Sequence, residues 1–194
     1  MGRKAGIELD DVVDVAVAIA DRDGLEAATL SAVARELGIK TPSLYNHVSG
    51  REGLRRQLTI RGARILLEDL QAAIDERTGS DALRIVARVD REFALAHPGL
   101  YEAFLPAPRP EEDPELYEIM AEPVSAIARV LLEMGISQDE AIHLIRAFRA
   151  TIHGFLDLEA KDGFGMPLDI DESFDAAVEL MIAGIEAVVR SQKG

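Results

Sequence analysis

The sequence predicts an all-α protein in two parts, an N-terminal three-helix helix-turn-helix domain followed by a larger helical domain. Three observations carry that expectation. Ala, Leu, Ile, Val and Glu are plentiful while aromatics make up only 5% and Trp is absent, a balance that favours helices packed on helices. Apolar residues recur at helical spacing along most of the chain. Within the first 50 residues, cap and glycine signals set out a helix, a short helix, a tight turn and another short helix. The 194 residues are enough for one large domain or for a small module joined to a larger one, and the expected division is 1–50 and 51–194.

A first helix is predicted over 10–23. Asp10 caps it, Asp11 favours its positive N-terminal end, Val12, Val13, Ala16, Ile19 and Ala20 form its inner face, and Gly24 stops it. A second, short helix runs from about 32 to 37, with Ser31 as cap and Val33, Ala34 and Leu37 facing inward; Gly38 supplies a left-handed turn. The third begins with Thr41 as cap and Pro42 at the first helical position, where a missing N–H does no harm, and Leu44 and Val48 anchor it. This is the plan of a unit whose last helix enters the DNA major groove. Thr41, Pro42, Ser43, Tyr45, Asn46 and His47 are then left near the surface, where hydroxyls, an amide and an imidazole can read base edges or phosphates. Arg51 follows, placed to hold a phosphate.

The charge distribution permits this reading despite a net charge of −14. Residues 1–30 carry −4, residues 31–64 carry +5 and residues 65–194 carry −15, which sums to −14. Screening over roughly 8 Å at physiological salt separates a local basic window from a distant acidic body, so the window can still meet a duplex.

The run TLSAVARELGIKTPSLYNHVSGREGL, residues 29–54, resembles the DNA-binding domain of TetR-family transcriptional regulators. Thr29, Val33-Ala34, Leu37-Gly38-Ile39, Leu44-Tyr45-x-His47-Val48, Arg51 and Leu54 carry the resemblance, which extends over about residues 8–60. It implies that Tyr45 and His47 meet phosphate or base edges, that Thr41, Pro42 and Ser43 sit at bases, and that Arg51 grips the backbone, with Lys40 and Asn46 in the same DNA-binding set. Ser31 stands where some members place a basic, base-reading residue, so fewer base contacts are expected there.

Beyond residue 50, a connecting helix over 51–76 presents Leu54, Leu58, Leu66, Leu70 and Ile74 along one side. Another starts at Ser80-Asp81 and ends near His97-Pro98-Gly99, followed by a short apolar segment, LYEAFL (100–105). LPAPRPEEDP, with four prolines, interrupts the pattern; a helix restarts at Asp113-Pro114, is expected to kink at Pro123, and closes at Gly135. Ser137-Gln138-Asp139-Glu140 reads as a capping box ahead of an apolar stripe formed by Ala141, Leu144, Ile145, Phe148, Ile152 and Phe155. The loop containing residues 161–169 leads to a last helix over about 172–190. Phe174, Ala177, Val178, Met181, Ile185 and Val188 form its main apolar side, and Ala176, Leu180, Ala183 and Ala187 a smaller one. A helix apolar on two sides needs two things to pack against. The expected partners are its own core and a second subunit, the last two helices forming a four-helix interface with a twofold mate.

RATIHGFLDLEAKDGFG, residues 149–165, resembles the C-terminal region of the TetR subgroup named for a Trp-His-Gly signature: His153-Gly154 and Leu158-Glu159 fit, while the Trp is missing. A small-molecule pocket is expected from Phe93, Tyr101, Phe104, Tyr117, Met120, Arg146, Arg149, His153 and Phe155, apolar surface with a few polar groups. Arg146 and Arg149 are its polar candidates, suited to an acidic ligand or to Glu and Asp neighbours.

Other chemistries find little support. There is no Cys, which excludes disulfides, cysteine metal sites and thiol catalysis. Glu140-x-x-His143 has the spacing of a di-iron ligand pair, but no second such pair accompanies it. No catalytic triad order, phosphate-binding glycine loop or zinc spacing is present, so neither catalytic residues nor a metal nor a cofactor is expected. Apolar runs such as VAVAIA (15–20) and LMIAGI (180–185) are far too short to span a bilayer, and no export signal is evident, which fits a cytoplasmic protein. The resemblance implies a homodimeric repressor on a near-palindromic double-stranded DNA operator, released by a small-molecule effector. The rival expectation is a helical ligand-binding or di-metal enzyme that retains a helix-turn-helix-like N-terminus.

Overall fold

A computed structural model describes residues 6–75 and 77–192. The described chain is helical, with no strand: α1 (Leu9–Asp23), a single 3₁₀ turn (Leu25–Ala27), α2 (Leu30–Leu37), α3 (Thr41–Leu44), α4 (Gly50–Ile74), α5 (Gly79–Ala96), α6 (Pro98–Phe104), α7 (Pro114–Glu133), α8 (Gln138–Ala160) and α9 (Ile170–Gln192). The predicted end of the connecting helix, at residue 76, lies outside the described residues. Two compact units result, one from Met1–Ile65 with Phe93–Met120 and the other from Leu66–Glu92 with Ala121–Gly194.

Most inward positions fall where the periodicity put them, but several caps shift. Glu8 is the N-cap of α1, and its N–H donates to the Asp11 carboxylate at 2.8 Å; Asp10 lies inside the helix and pairs with Arg61. Thr29, rather than Ser31, caps α2, its hydroxyl accepting from the Ala32 N–H at 3.2 Å. Lys40 is the N-cap of α3, so Thr41 opens the helix instead of capping it. The segment at 100–105 is not merely apolar: residues 98–104 form α6, with Pro98 at the N-terminus. Ser137 occupies the N-cap of α8, but its side chain makes no cap bond; the Glu140 carboxylate accepts from the Gln192 amide, so the predicted capping box is not closed. Asp169 starts α9 two residues early by accepting from the N–H groups of Asp171 (2.7 Å) and Glu172 (3.1 Å). Helix α7 continues through the buried Pro123.

In the first unit, Val12, Ala16, Ile19, Val33, Leu44, Leu54, Leu58 and Leu100 are at most 2% exposed. Helix α6 packs on α1. The Asp21 carboxylate accepts from the N–H groups of Gly99 (2.9 Å) and Leu100 (3.3 Å), two donors that the first turn of a helix leaves without partners. His97 Nδ1 lies 2.9 Å from the other carboxylate oxygen. The Thr59 hydroxyl of α4 lies 3.0 Å from the Ala103 carbonyl at the far end of α6.

In the second unit, α5 and α9 run antiparallel along a polar seam. Ser80 meets Glu186 (2.6 Å), Arg84 meets Glu179 (2.5 Å), Arg88 meets Asp175 (3.6 Å) and Arg91 meets Asp171 (2.7 Å). Arg91 also holds Glu159 of α8 at 2.6 Å and lies 4.8 Å over the Phe174 ring. Beneath the seam, Leu83, Val86, Leu131, Ile152, Phe174, Ile182 and Ile185 are at most 3% exposed.

Gly99 is the tightest point of the first unit: a Cβ there would lie 2.3 Å from the Ala20 carbonyl carbon. Backbone cannot yield as a flexible side chain does, so Gly99→Ala is expected to destabilise the fold by about 1–3 kcal/mol. Urea unfolding with an unchanged m-value and a lowered midpoint would record it; an unchanged midpoint would contradict the close approach.

Candidate functional site

The DNA-facing candidates are organised by a few buried anchors. Gly38 adopts the left-handed conformation (φ 68°, ψ 29°) and its N–H returns to the carbonyls of Ala34 and Arg35, so α2 ends abruptly and the chain turns into α3. A side chain at that φ would be strained. Val33 at 0%, Ala34 at 2%, Leu44 at 0% and Val48 at 4% exposure bury the shared side of the two helices. Helix α3 is one hydrogen-bonded turn, carried on by a turn in which the N–H groups of His47 (2.9 Å) and Val48 (3.0 Å) both donate to the Leu44 carbonyl.

All nine predicted DNA-binding residues belong to this one unit. Ser31, Lys40, Pro42, Ser43, Tyr45, Asn46 and Arg51 are exposed, and Thr41 and His47 are half-buried. Tyr45 is 61% exposed, an unusual position for an aromatic ring that directly follows the fully buried Leu44. The Ser31 hydroxyl is 3.1 Å from that of Thr29. Arg51 is not idle: Glu26, which the sequence did not single out, accepts from both Arg51 and Arg55, the latter at 3.1 Å. Arg51 first and Arg55 second hold the Glu26 carboxyl below its ordinary range. An exposed pair of this kind contributes little to stability, so a phosphate can replace Glu26 on Arg51 at small cost.

The nine predicted ligand residues divide between the units. In the first, Phe93 and Phe104 are buried, the Tyr101 ring stands edge-on to Phe93 at 6.4 Å, Met120 is buried, and Tyr117 is 45% exposed. In the second, Arg146 is exposed, Arg149 and His153 are half-buried, and the Phe155 ring sits 4.7 Å from Phe164 and 5.2 Å from Phe174. A cleft of about 440 Å³ opens in the first unit beside the segment 106–108, with Arg56, Thr59, Ala103 and Asp113 among its walls; none of the nine predicted residues lines it. Arg56 is held there by Asp113 (2.6 Å) and Glu115 (2.7 Å). Among the described residues, no group of three or more His, Asp or Glu is arranged to hold a metal ion.

Asp90 on α5 was not anticipated. On a helical wheel the buried residues Ala82, Leu83, Val86, Ala87 and Val89 span an arc of about 160°, with Asp90 near its middle and about 120° from the seam of Ser80, Arg84, Arg88 and Arg91. Among the described residues it makes no hydrogen bond or ion pair. Burial pushes its carboxyl up from 3.8 to about 6, and the charge of Arg149 offsets only part of that. The available signal in the sequence was a lone acid within an apolar stripe.

A capped helix, a left-handed glycine turn and a short second helix with polar residues outward define a helix-turn-helix protein of the DNA-binding, transcription-regulating class. The family model for bacterial regulatory proteins of the tetR family matches residues 12–58, and that for the tetracyclin repressor-like C-terminal domain matches residues 83–181. The chain is 31% identical over 186 residues to the uncharacterized HTH-type transcriptional regulator YobS of Bacillus subtilis, covering 95% of this chain and 96% of that one. It is 33% identical over 186 residues to the uncharacterized HTH-type transcriptional regulator Rv0681 of Mycobacterium tuberculosis, covering 96% and 85%. A TetR variant from Acinetobacter baumannii AYE, solved in complex with minocycline, shares the fold with a TM-score of 0.71 at 18% identity over 95% of this chain and 99% of that one. The chain belongs to the TetR family of bacterial transcriptional regulators, a family of regulators rather than of enzymes. Among the described residues no helix is long and apolar enough to cross a membrane.

The elevated Asp90 sets a pH signature. Its folded carboxyl binds a proton more tightly than the unfolded one, so its contribution favours the fold below about pH 4 and is lost as pH rises through about 6. Asp90→Asn should therefore match the wild type in stability near pH 4 and exceed it at pH 7–8, by on the order of 2–3 kcal/mol. Denaturation midpoints measured across that range would show the two curves diverging; parallel curves would mean that Asp90 is solvated.

Proposed function

We propose that this protein is a cytoplasmic homodimeric repressor that binds a near-palindromic operator and leaves it when a small molecule binds. Residues 1–50 act as the DNA-binding domain and residues 51–194 as the ligand-binding and dimerisation domain. Thr41, Pro42, Ser43, Tyr45, Asn46 and His47 face the major groove, while Ser31, Lys40 and Arg51 hold its margins. The observation that carries this reading is the exposure of Tyr45 beside Leu44 and Val48, which are buried: the helix keeps its anchors inside and its base- and phosphate-reading chemistry outside. Two such helices about one helical turn apart, 34–36 Å, would meet successive major grooves. Effector release requires that the ligand bind the geometry unable to match that spacing more tightly than the one that can. The A. baumannii TetR bound to minocycline supports a small-molecule effector by kinship.

Two helix faces support the dimer. On α9, Ala176, Leu180, Ala183, Gly184 and Ala187 are exposed, Leu180 by 77%. On α8, Ala147, Gly154 and Leu158 are exposed, and a Cβ added at Gly154 or Gly184 meets nothing within 4 Å. Small residues at such spacing let two helices approach closely.

Selection of duplexes from a random pool by the purified protein should enrich a palindromic site, and Tyr45→Ala/His47→Ala should lose it at least a hundredfold. Absence of enrichment by folded wild type at low salt would sink the recognition-helix assignment. Independently, Ala183→Glu places a charge in the α9 face and should turn a dimer into a monomer in analytical ultracentrifugation at micromolar concentration. A wild type that sediments as a monomer, or a variant that stays dimeric, would rule out this interface.

A further inference from the structure

We propose that Arg35 grips a backbone phosphate of the operator from the exposed face of α2, a contact outside the nine DNA-facing residues assigned above; this rests on the recognition-helix reading.

Most cations of the first unit already hold carboxylates. Arg22 meets Asp23 (2.7 Å) and Glu36 (2.9 Å), and Arg51 and Arg55 share Glu26. Arg56 meets Asp113 and Glu115, Arg61 meets Asp14 and Asp10, and Arg109 meets Glu112. Among the described residues of that unit, the arginines and lysines outside any ion pair are Arg35, Lys40 and Arg64, all three exposed. Position separates them. Lys40 is the N-cap of α3 and already belongs to the DNA-facing set. Arg64 lies about 21 Å along α4 from Gly50, well beyond the screening length from the recognition segment. Arg35 sits in the last turn of α2, just before the Gly38 turn that leads into α3.

Arg35 follows Ser31 by one helical turn, so the two share a side of α2. Ala32, Val33 and Ala34 between them are 8% exposed or less, which leaves Ser31 and Arg35 as the open side of the helix. In a helix-turn-helix the helix before the recognition helix crosses the sugar-phosphate backbone, and α2 is that helix. A guanidinium matches two phosphate oxygens with parallel N–H donors. Each paired arginine must first release a carboxylate, which then repels the incoming phosphate. Arg35 has none to release: Asp23 is near enough to feel its charge, but that carboxylate is held by Arg22.

Fluorescence anisotropy on the selected operator and on a scrambled duplex of equal length, between about 50 and 200 mM salt, tests the assignment with three variants. Arg35→Ala should lose about tenfold on both duplexes and flatten the dependence of log Kd on log salt by about 0.9 for each half-site. Arg35→Lys should keep the slope and most of the affinity. Arg64→Ala makes the same change in net charge and should stay within twofold of the wild type on both duplexes. Thermal melting establishes that the variants are folded. Wild-type affinity and slope in Arg35→Ala, or an equal loss in Arg64→Ala, would overturn the proposal, the second because charge at a distance would then account for the effect. A loss confined to the operator with an unchanged slope would also overturn it, since that is the signature of base reading. Wild-type binding is the separate control: its failure removes the recognition-helix reading and this inference with it, whereas intact binding with an unaffected Arg35→Ala removes only the inference.

Discussion

The first unit depends on one carboxylate at the end of α1. Asp21 accepts from the two leading N–H groups of α6 and lies against His97, and it can do so only because Gly99 lets α6 touch the Ala20 backbone. A carboxylate there both satisfies donors that a helix start leaves unpaired and complements the positive end of the helix. With α6 fixed on α1, the Ala103 carbonyl comes within reach of Thr59 on α4. The first turns of α4 follow directly from the recognition segment, and Leu54 and Leu58 of α4 are buried in the same compact unit as Val33 and Leu44. Displacing α6 would thus disturb the helix-turn-helix through hydrogen bonds and close backbone contact, not through a flexible linker.

Electrostatics around the recognition helix are more restrained than a basic window suggests. Glu26 holds Arg51 and Arg55, Asp14 holds Arg61, and Glu36 holds Arg22. Each pair is exposed enough that water competes with it, so each cation can exchange its carboxylate for a phosphate. The carboxylates remain nearby after the exchange and repel the same phosphates. On the proposed reading, charge arranged this way would weaken attraction to any duplex at large and leave discrimination to the hydroxyl groups of α3 and to the Asn46 amide and His47 imidazole that follow it. The acidic remainder of the chain acts in the same direction over distances longer than the screening length only weakly.

The helices were readable because their inner faces are nearly pure Ala, Val, Leu and Ile and because glycines end them. Gly38 and Gly135 both take positive φ at the predicted stops. Cap identity was harder. Thr29 and Ser31 are chemically interchangeable as caps, and only the extended backbone at Thr29 decides between them. The box expected at Ser137 failed for another reason: Glu140 found the amide of Gln192, a partner 52 residues away that no local pattern could indicate. The expected ligand residues rest on chemical type, and type does not report depth. Tyr117 and Arg146 have suitable chemistry but face solvent.

Neighbouring charges on α5 are compensated unequally. Arg91 is surrounded by two carboxylates and an aromatic face, so its burial is fully compensated. Asp90, one residue earlier and about 100° around the helix, has an apolar setting, and the charge of Arg149 offsets only part of its cost. Replacing a lone buried acid with an isosteric neutral group stabilises the empty protein, because the desolvation penalty disappears with the charge. An acid placed in the middle of an apolar face is thus unfavourable to the helix that carries it.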